Sequence, residues 1–396
     1  MKRFLPLFLV GVMLLSLCAC GNTSQPEQTT TEPQLDVYAK AADIAKLDGL
    51  YTGRELRYGE MHSHADTGGT SDGKVTLTQW KTEMLLKGVD FATIVDHKQM
   101  LHMELPEWDN AAFLGGSEAG GYITDSPARN NNLHYNMLFA TVEDFKSFLD
   151  MPIQLVKFQF FGGHFKYPNW TVEEMNQLSR DIYANGGLLV HVHPNHNGYM
   201  DSDDPLDYFF GDVMGYEVFT GYHGDMTYPD NQKQYQMWTK LLALGKRAYA
   251  TCGSDSHGNV SNMPISLGTV YTQNKDASEY LSCMRSGNMT AGPAGIRMCV
   301  GDTQMGGEVS FAGQRLVLAV DEIHDLTYKV NHTYRVDLYD DKGLVFSEEI
   351  SGKEPAYFAM DANPDAKYYH ANVYDVTADC IIAIGNPIWN ADATYS

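Results

Sequence analysis

Residues 88–97 read Gly-Val-Asp-Phe-Ala-Thr-Ile-Val-Asp-His, an apolar run that ends in an acid and a histidine. The segment from Phe91 to Val95 is short and almost wholly apolar, which predicts a buried β-strand. Asp96 and His97 then stand at the carboxyl end of that strand. Functional side chains of parallel sheets gather at this end. The stretch therefore predicts a β-sheet, with the functional side chains at the carboxyl ends of its strands.

Similar apolar runs recur on both sides of this stretch, and segments with helical periodicity separate them. Val75 to Leu86 predicts a helix, and Thr171 with Glu174 forms a capping box that opens another. Further strands are predicted at 56–62, 136–141, 188–193, 213–219 and 248–254. Strands that alternate with helices indicate parallel β/α architecture. Seven or eight such units over residues 51–290 favour a barrel over an open sheet.

The sequence changes character after Gly287. Residues 315–320, 334–339 and 368–376 alternate apolar and polar side chains, and no long helical pattern follows. Asp341-Lys342-Gly343 stands where a hairpin turn is expected. We therefore predict an all-β, sandwich-like module over residues 291–396.

The beginning of the chain has the pattern of an export signal. A basic start precedes an apolar run from Phe4 to Leu17, and the following residues resemble the bacterial lipobox. Residues 1–19 are thus expected to be a lipoprotein signal peptide, with Cys20 lipidated and a flexible tether over residues 20–50. Asn22 to Gln34 contains no large apolar residue, as expected of a tether. The protein would be exported and held on the membrane surface; an uncleaved N-terminal membrane helix is the alternative.

Composition limits the classes of function. The 396 residues are 43% apolar and carry a formal charge of −22, from 28 basic and 50 acidic residues. This profile fits a folded chain with a sizeable core. It argues against nucleic acid as a partner, because neutralising phosphates needs surplus Lys and Arg. The cysteines beyond the signal match no zinc or redox motif and are predicted to be buried thiols: Cys252, Cys283, Cys299 and Cys380.

Histidines and acids cluster at the ends of the predicted strands, and several are two residues apart. The pairs are His62 with His64, His191 with His193, and Asp255 with His257. Residues two apart on an extended chain face the same way. So many imidazoles and carboxylates in one cleft would repel or stay unpaired unless cations satisfied them. Nitrogen and oxygen ligands suit Zn, Mn or Fe, and their number implies two or three ions.

Six motifs resemble, in order and spacing, those of the PHP (polymerase and histidinol phosphatase) superfamily over residues 57–290. They are Gly59-Glu60-Met61-His62-Ser63-His64, Ser71-Asp72-Gly73, the strand 88–97, Gly116-Ser117-Glu118, His193-Pro194 and Gly253-Ser254-Asp255-Ser256-His257. Gly385-Asn386-Pro387-Ile388-Trp389 resembles the CehA/McbA branch, named for a carbaryl hydrolase. The resemblance implies a distorted (β/α)7 TIM-like barrel and a metal-dependent hydrolase.

The resemblance also implies which residues bind metal. One ion would be held by His62, His64, Glu118 and Asp255; a second by Glu118, His134 and His193; a third by Asp72, His97 and His257. The sequence departs from the family in two places. The segment before Asp72 is longer, with Gly68-Gly69 inserted. Lys98 stands where the family often has Asn, and could bind an anionic substrate or simply be solvated.

Four residues are candidates for substrate contact or for protonating a leaving group. They are His191, His196, His223 and Arg129, of which His191, Arg129 and His223 are preferred. His191 is favoured because it should share a face with His193. Arg129 precedes His134, and a guanidinium is suited to binding a phosphate.

The leading expectation is an extracytoplasmic metal-dependent phosphoesterase that uses hydroxide formed on the ions. Its substrate would be a small-molecule or envelope-derived ester. One alternative is hydrolysis of a carboxyl or carbamate ester, as in the carbaryl-hydrolase branch. Another is a metal-loaded binding lipoprotein without activity, which the complete set of ligands disfavours.

Overall fold

The computed structural model describes residues 37–126, 133–195, 202–221, 226–258 and 266–395. Within these ranges the α-helices are α1 Ala41–Leu50, α2 Leu77–Lys87, α3 Val142–Leu149, α4 Pro152–Phe158, α5 Val172–Ala184, α6 Pro229–Ala243 and α7 Ala277–Ser286. The strands of the first part are β1 Glu55–Ser63, β2 Phe91–Ile94, β3 Phe113–Gly121, β4 Leu133–Phe139, β5 Leu188–His191, β6 Val213–Thr220, β7 Arg247–Gly253, β8 Leu267–Thr272 and β9 Met289–Ala291. The later strands are β10 Ala294–Val300, β11 Thr303–Gln304, β12 Glu308–Val309, β13 Arg315–Ile323, β14 Tyr334–Asp340, β15 Gly343–Ile350, β16 Ala356–Asp361, β17 Tyr368–Asp375 and β18 Cys380–Asn390.

Helix starts follow the capping signals in the sequence. The Thr76 hydroxyl accepts a hydrogen bond from the Gln79 N–H at the start of α2. Thr171 and Glu174 form the predicted capping box at the start of α5, with hydrogen bonds of 3.2 and 2.9 Å. These reciprocal bonds satisfy backbone donors that a helix leaves unpaired. Both predicted helices are confirmed.

Strands β1 to β7 lie side by side in chain order within one large sheet. Neighbours pair in parallel, except that β4 runs antiparallel to both β3 and β5. The other edge of β1 pairs antiparallel with β8 along Glu55 to Glu60. The fold of this part is therefore α/β, and its sheet contains both parallel and antiparallel pairs.

The expected closed TIM-like barrel is not observed in the described residues. β7 ends the path of paired strands, because β8 occupies the edge of β1 that β7 would need. Only the last residues of β1 reach across to the segment after β7. His64 N–H donates to the Ser256 carbonyl over 3.1 Å, and Asp255 N–H donates to the His62 carbonyl over 2.9 Å. These two bonds bring two of the predicted metal-binding motifs together.

The C-terminal part is all-β, as predicted, and the hairpin at 341–343 joins β14 to β15. β14, β15, β17 and β18 continue the large sheet through the pairing of β18 with β9, while β10, β11, β13 and β16 form a second sheet. The sheets pack closely, since a Cβ on Gly385 would lie 2.9 Å from Ile296 Cγ2. Val37–Ser396 forms one compact unit, and the boundary near residue 290 stays a prediction.

Asn386, in the motif near the C-terminus, connects β18 to two other strands. Its side-chain oxygen accepts from the Ala250 N–H at 2.7 Å, and its amide nitrogen donates to the carbonyls of Ala250 and Met289, each at 3.2 Å. The amide thus pairs with the backbone of β7 at Ala250, on the edge where the described residues provide no strand partner, and also with β9 at Met289. Trp389, three residues later, is fully buried.

The predicted tether is shorter than expected, because residues 41–50 form α1. Two arginines hold this helix. Arg315 pairs with Asp43 at 2.9 Å, and Arg297 pairs with Asp48 at 2.6 Å. The signal peptide, Cys20 and the rest of the tether up to residue 36 lie outside the described residues. The helices described include none long and apolar enough to cross a membrane. The four cysteines are buried and form no disulfide.

His370 is buried among aromatic rings, and it makes folding sensitive to acid. Neither ring nitrogen has a hydrogen-bond partner in the described residues, and Tyr339 stacks on the ring at 5.2 Å. Burial lowers the pKa of His370 from 6.5 to about 3. Between these values the unfolded chain binds a proton that the folded chain does not, so stability falls as pH falls.

We predict that His370→Phe flattens the loss of stability between pH 6.5 and 4.5. The slope due to this residue should approach about 1.4 kcal/mol per pH unit. Urea unfolding at a series of pH values measures it. Tyr339→Phe perturbs the same cluster but keeps the histidine, so it should retain the slope. An equal slope in wild type and His370→Phe would contradict the assignment.

Candidate metal centre

Nine side chains predicted as metal ligands converge at one end of the large sheet. They are His62, His64, Asp72, His97, Glu118, His134, His193, Asp255 and His257. Eight of them form two groups whose ligand atoms lie within 4.8 Å of one another: His62, Glu118, His193 and Asp255, and then His64, Asp72, His97 and His257. The ninth, His134, contacts Glu118. The fold thus gathers side chains that are up to 195 residues apart in sequence (from 62 to 257).

Glu118 lies at the centre of this cluster and is fully buried in β3. One of its oxygens, Oε1, is 2.7 Å from His134 Nδ1 and 3.0 Å from His193 Nε2. The other, Oε2, is 3.3 Å from His62 Nε2 and 3.1 Å from His64 Nε2. Each oxygen therefore faces a different pair of imidazoles. These pairs cut across the two groups above, because His62 and His193 of the first group lie at different oxygens. This is the arrangement that a carboxylate needs to bridge two ions.

Asp255 closes the first group from the segment after β7. Its Oδ1 is 3.1 Å from His64 Nε2 and 3.6 Å from His62 Nε2, so it faces both groups. Asp255 and His193 both have left-handed backbone, with φ of 53° and 31°. Residues other than glycine rarely adopt this conformation, and where they do, a functional site is often nearby.

The second group is more open to solvent than the first. His257 Nε2 is 3.1 Å from Asp72 Oδ1, and His97 Nε2 is 3.8 Å from Asp72 Oδ2. The rings of His64, His97 and His257 form a triangle, with the His64 centroid 4.1 Å from that of His257 and 4.6 Å from that of His97. The Asp72 side chain is 57% exposed, whereas those of the first group other than Asp255 are almost completely buried. The longer segment before Asp72 still delivers it to the cluster.

Buried opposite charges shift the pKa values in this cluster. Burial opposes protonation of His64, but hydrogen bonds to Asp255 and Glu118 outweigh it and raise the pKa to about 9. Burial would raise the pKa of Glu118, yet His97, His134 and His193 hold it well below its usual value. A metal ion needs neutral imidazoles, so it would compete with these protons.

Two buried glutamates that sequence reasoning missed support the ligands. Glu217 in β6 has Oε1 3.3 Å from His62 Nδ1, and its Oε2 accepts from the His193 N–H at 2.6 Å. Glu60 in β1 accepts from the N–H groups of His62, Ser254 and Ser266. Burial raises the pKa of Glu60 to about 7. An acid inside an otherwise apolar predicted strand was the available signal for Glu217; the strand of Glu60 also contains Arg57, so its signal was weaker.

Asp96, near the end of the stretch 88–97, holds the backbone next to the predicted ligand His64. It accepts from the Ala65 N–H at 2.8 Å and from the Thr67 hydroxyl. Its Oδ2 is also 3.4 Å from His102 Nδ1. Asp96 thereby holds the loop that follows His64.

The structure describes only one of the predicted catalytic residues, His191. His191 is buried, with Nδ1 3.1 Å from the Tyr208 carbonyl and its ring packed near Phe210 and Tyr216. Its surroundings differ from those of His193, and its catalytic role stays a prediction. Arg129, His196 and His223 lie outside the described residues.

The donor set fits divalent cations. It consists of imidazole nitrogens and carboxylate oxygens without a thiolate, which suits Zn, Mn or Fe. Ligand histidines are usually held by a carboxylate on the second ring nitrogen. Glu217 is placed in this way on His62. The chemistry of the residues thus agrees with a metal centre.

Comparisons with known proteins give low structural similarity. No family model matches the chain, and no curated protein is similar to it. PsfC from Pseudomonas syringae has 15% identity and a TM-score of 0.37, over 58% of this chain and 88% of its own. The lesion-specific endonuclease PfuEndoQ from Pyrococcus furiosus has 14% identity and a TM-score of 0.41, over 58% of this chain and 56% of its own. A complex of Endonuclease Q with a duplex containing an abasic lesion has 13% identity and a TM-score of 0.29. With TM-scores this low, the functional conclusion rests on the residues of the site.

We predict that Glu118→Gln lowers the number of bound ions per chain. The change removes the charge that faces five imidazoles while nearly preserving side-chain volume. Metal content after dialysis, measured by mass spectrometry, is the test, and circular dichroism verifies the fold. Glu107→Gln, at an exposed acid, should keep wild-type metal content. Equal metal content in both variants would contradict the bridging role.

Glu217→Gln should weaken metal affinity without changing the number of ions at saturation. The variant loses the negative charge that orients His62, and such losses typically weaken affinity about 10- to 100-fold. Titration with Zn²⁺ against a competing chelator measures the affinity. Glu107→Gln again serves as control. Wild-type Zn²⁺ affinity in Glu217→Gln would show that the charge of Glu217 does not support metal binding.

Proposed function

We propose that this protein is a metal-dependent hydrolase of phosphate esters, of the PHP type. The observation that carries the proposal is the position of Glu118, one oxygen toward each of two sets of imidazoles. Two ions that share a carboxylate suit hydrolysis, because paired ions can stabilise both the attacking and the leaving oxygen of a phosphoester. The six sequence motifs support the superfamily, and the C-terminal motif supports the CehA/McbA branch.

The buried and the exposed residues of the cluster are proposed to have different roles. His62, Glu118 and His193 are almost fully buried and would hold metal away from solvent. Asp72 and His257 are partly exposed, so an ester would approach from their side. Divalent ions bound here would supply an activated water and polarise the ester. Glu217 and Glu60 keep His62 and the backbone after β7 in position.

Other parts of the proposal rest on sequence alone. The lipobox supports export and attachment through Cys20, and the acidic composition disfavours nucleic acid as substrate. Arg129 is proposed as a phosphate contact because of its place before His134. His191 and His223 are proposed to take part in proton transfer or substrate contact. Two or three ions, of Zn, Mn or Fe, are proposed as cofactors.

The deciding experiment is a substrate panel with the full chain loaded with Mn²⁺ or Zn²⁺. It compares an aryl phosphomonoester, an aryl phosphodiester and an aryl carbamate, each with and without a chelator. We expect turnover of at least one phosphoester, abolished by chelation and in Asp255→Ala. Glu107→Gln should remain active.

The other outcomes lead to different conclusions. Turnover of the carbamate alone would replace phosphoester hydrolysis with the carbaryl-type reaction. No turnover of any substrate by the metal-loaded protein would favour a binding lipoprotein.

A further inference from the structure

Lys98 directly follows His97 and lies beside the metal centre. Its N–H donates to the Glu118 carbonyl over 3.3 Å, and its carbonyl accepts from the Phe165 N–H at 2.9 Å. Its φ of 58° is left-handed, which residues other than glycine rarely adopt. The backbone of Lys98 is therefore held on both sides in an unusual conformation, and this fixes the direction in which its side chain leaves.

The Lys98 side chain reaches an aromatic ring that itself contacts the centre. Lys98 Nζ lies 4.3 Å from the centroid of the Tyr167 ring. The hydroxyl of the same tyrosine is 2.9 Å from His97 Nδ1 and donates to the Glu118 carbonyl over 3.3 Å. The face of an aromatic ring attracts an ammonium without neutralising its charge. Tyr167 is thus a positioning residue that keeps the Lys98 charge near the ligands.

Lys98 makes no ion pair with a carboxylate of the described residues, although the chain has 50 acidic residues against 28 basic ones. Other partly buried lysines do make such pairs. Lys157 is 2.5 Å from Glu174, and Lys87 is 3.8 Å from Glu83. The half-buried ammonium of Lys98 therefore keeps its charge available beside the metal centre.

We propose that Lys98 binds the negative charge of the substrate's ester group. Lys98 would thereby make the centre selective for anionic phosphate esters over neutral carboxyl and carbamate esters. This inference rests on the proposed function, which it extends by naming the residue that recognises the anion. An ammonium over an aromatic ring can still donate a hydrogen bond to a phosphate oxygen, because it carries three N–H donors.

The first test measures binding, with inorganic phosphate as the probe. Calorimetric titration of the full chain loaded with Mn²⁺ should give phosphate affinity about tenfold or more weaker in Lys98→Met, as for loss of a charge-assisted hydrogen bond. Lys98→Arg keeps the charge and should retain most of the affinity. Lys166→Met, at an exposed lysine next to Tyr167, is the matched control. Metal content should be unchanged in all three variants.

The second test measures selectivity. In Lys98→Met, kcat/KM for an aryl phosphodiester should fall about tenfold, while kcat/KM for a neutral aryl carboxyl ester should stay at the wild-type value. An equal fall for both esters would overturn the proposal, because it would show a general defect of the centre.

The two hypotheses fail in distinguishable ways. If the wild-type protein turns over no phosphoester, the proposed function fails, and the phosphate titration still decides on Lys98. If Lys98→Met binds phosphate as tightly as wild type, or wild type binds none, the role of Lys98 is overturned even where phosphoester turnover is present.

Discussion

Glu118 is a buried carboxylate surrounded by imidazoles, and the arrangement of the centre depends on it. A lone carboxylate in this position would be costly to bury, and the imidazoles around it would repel one another once charged. The surrounding histidines offset the cost of burying the carboxylate, and they hold the pKa of Glu118 well below its usual value. β3 makes this possible, since it pairs with β2 on one side and β4 on the other and so fixes the backbone of Glu118. His134 lies in β4 and His97 follows β2, so the two neighbours bring both imidazoles to Glu118.

The mixed sheet places the remaining ligands. β8 takes the first part of the free edge of β1, and the chain after β7 takes the last part through two hydrogen bonds. Those bonds set His62 and His64 against Asp255 and His257. Glu60 strengthens the junction, because it accepts backbone donors from β1 and from both segments that approach it. The first part of this edge of β1 thus extends the sheet, and its last part positions the residues of the metal centre.

Local pattern was enough to predict which side chains cluster, but not which residues hold them in place. Pairs at two-residue spacing after apolar runs predicted His62 with His64 and Asp255 with His257, and the structure brings both pairs into the cluster. The same rule was less successful for His191 and His193, because β5 ends at His191 and the positive φ of His193 breaks the alternation. Glu217 and Glu60 give no spacing signal, since their roles come from contacts far apart in sequence. The predicted closure of a barrel was wrong because β8, not β7, pairs along β1. These strands are far apart in sequence, and strand periodicity does not show which strands pair.

Asn386 has a consequence for how the two halves of the chain depend on each other. Its amide imitates a strand partner at the outer edge of β7, the strand that leads directly to Asp255. An exposed strand edge invites association with other chains. Through Asn386, a C-terminal strand occupies backbone groups on this edge of β7. A chain shortened before β18 would lose these bonds, so the effect of the shortening should reach β7 and, through it, the position of Asp255.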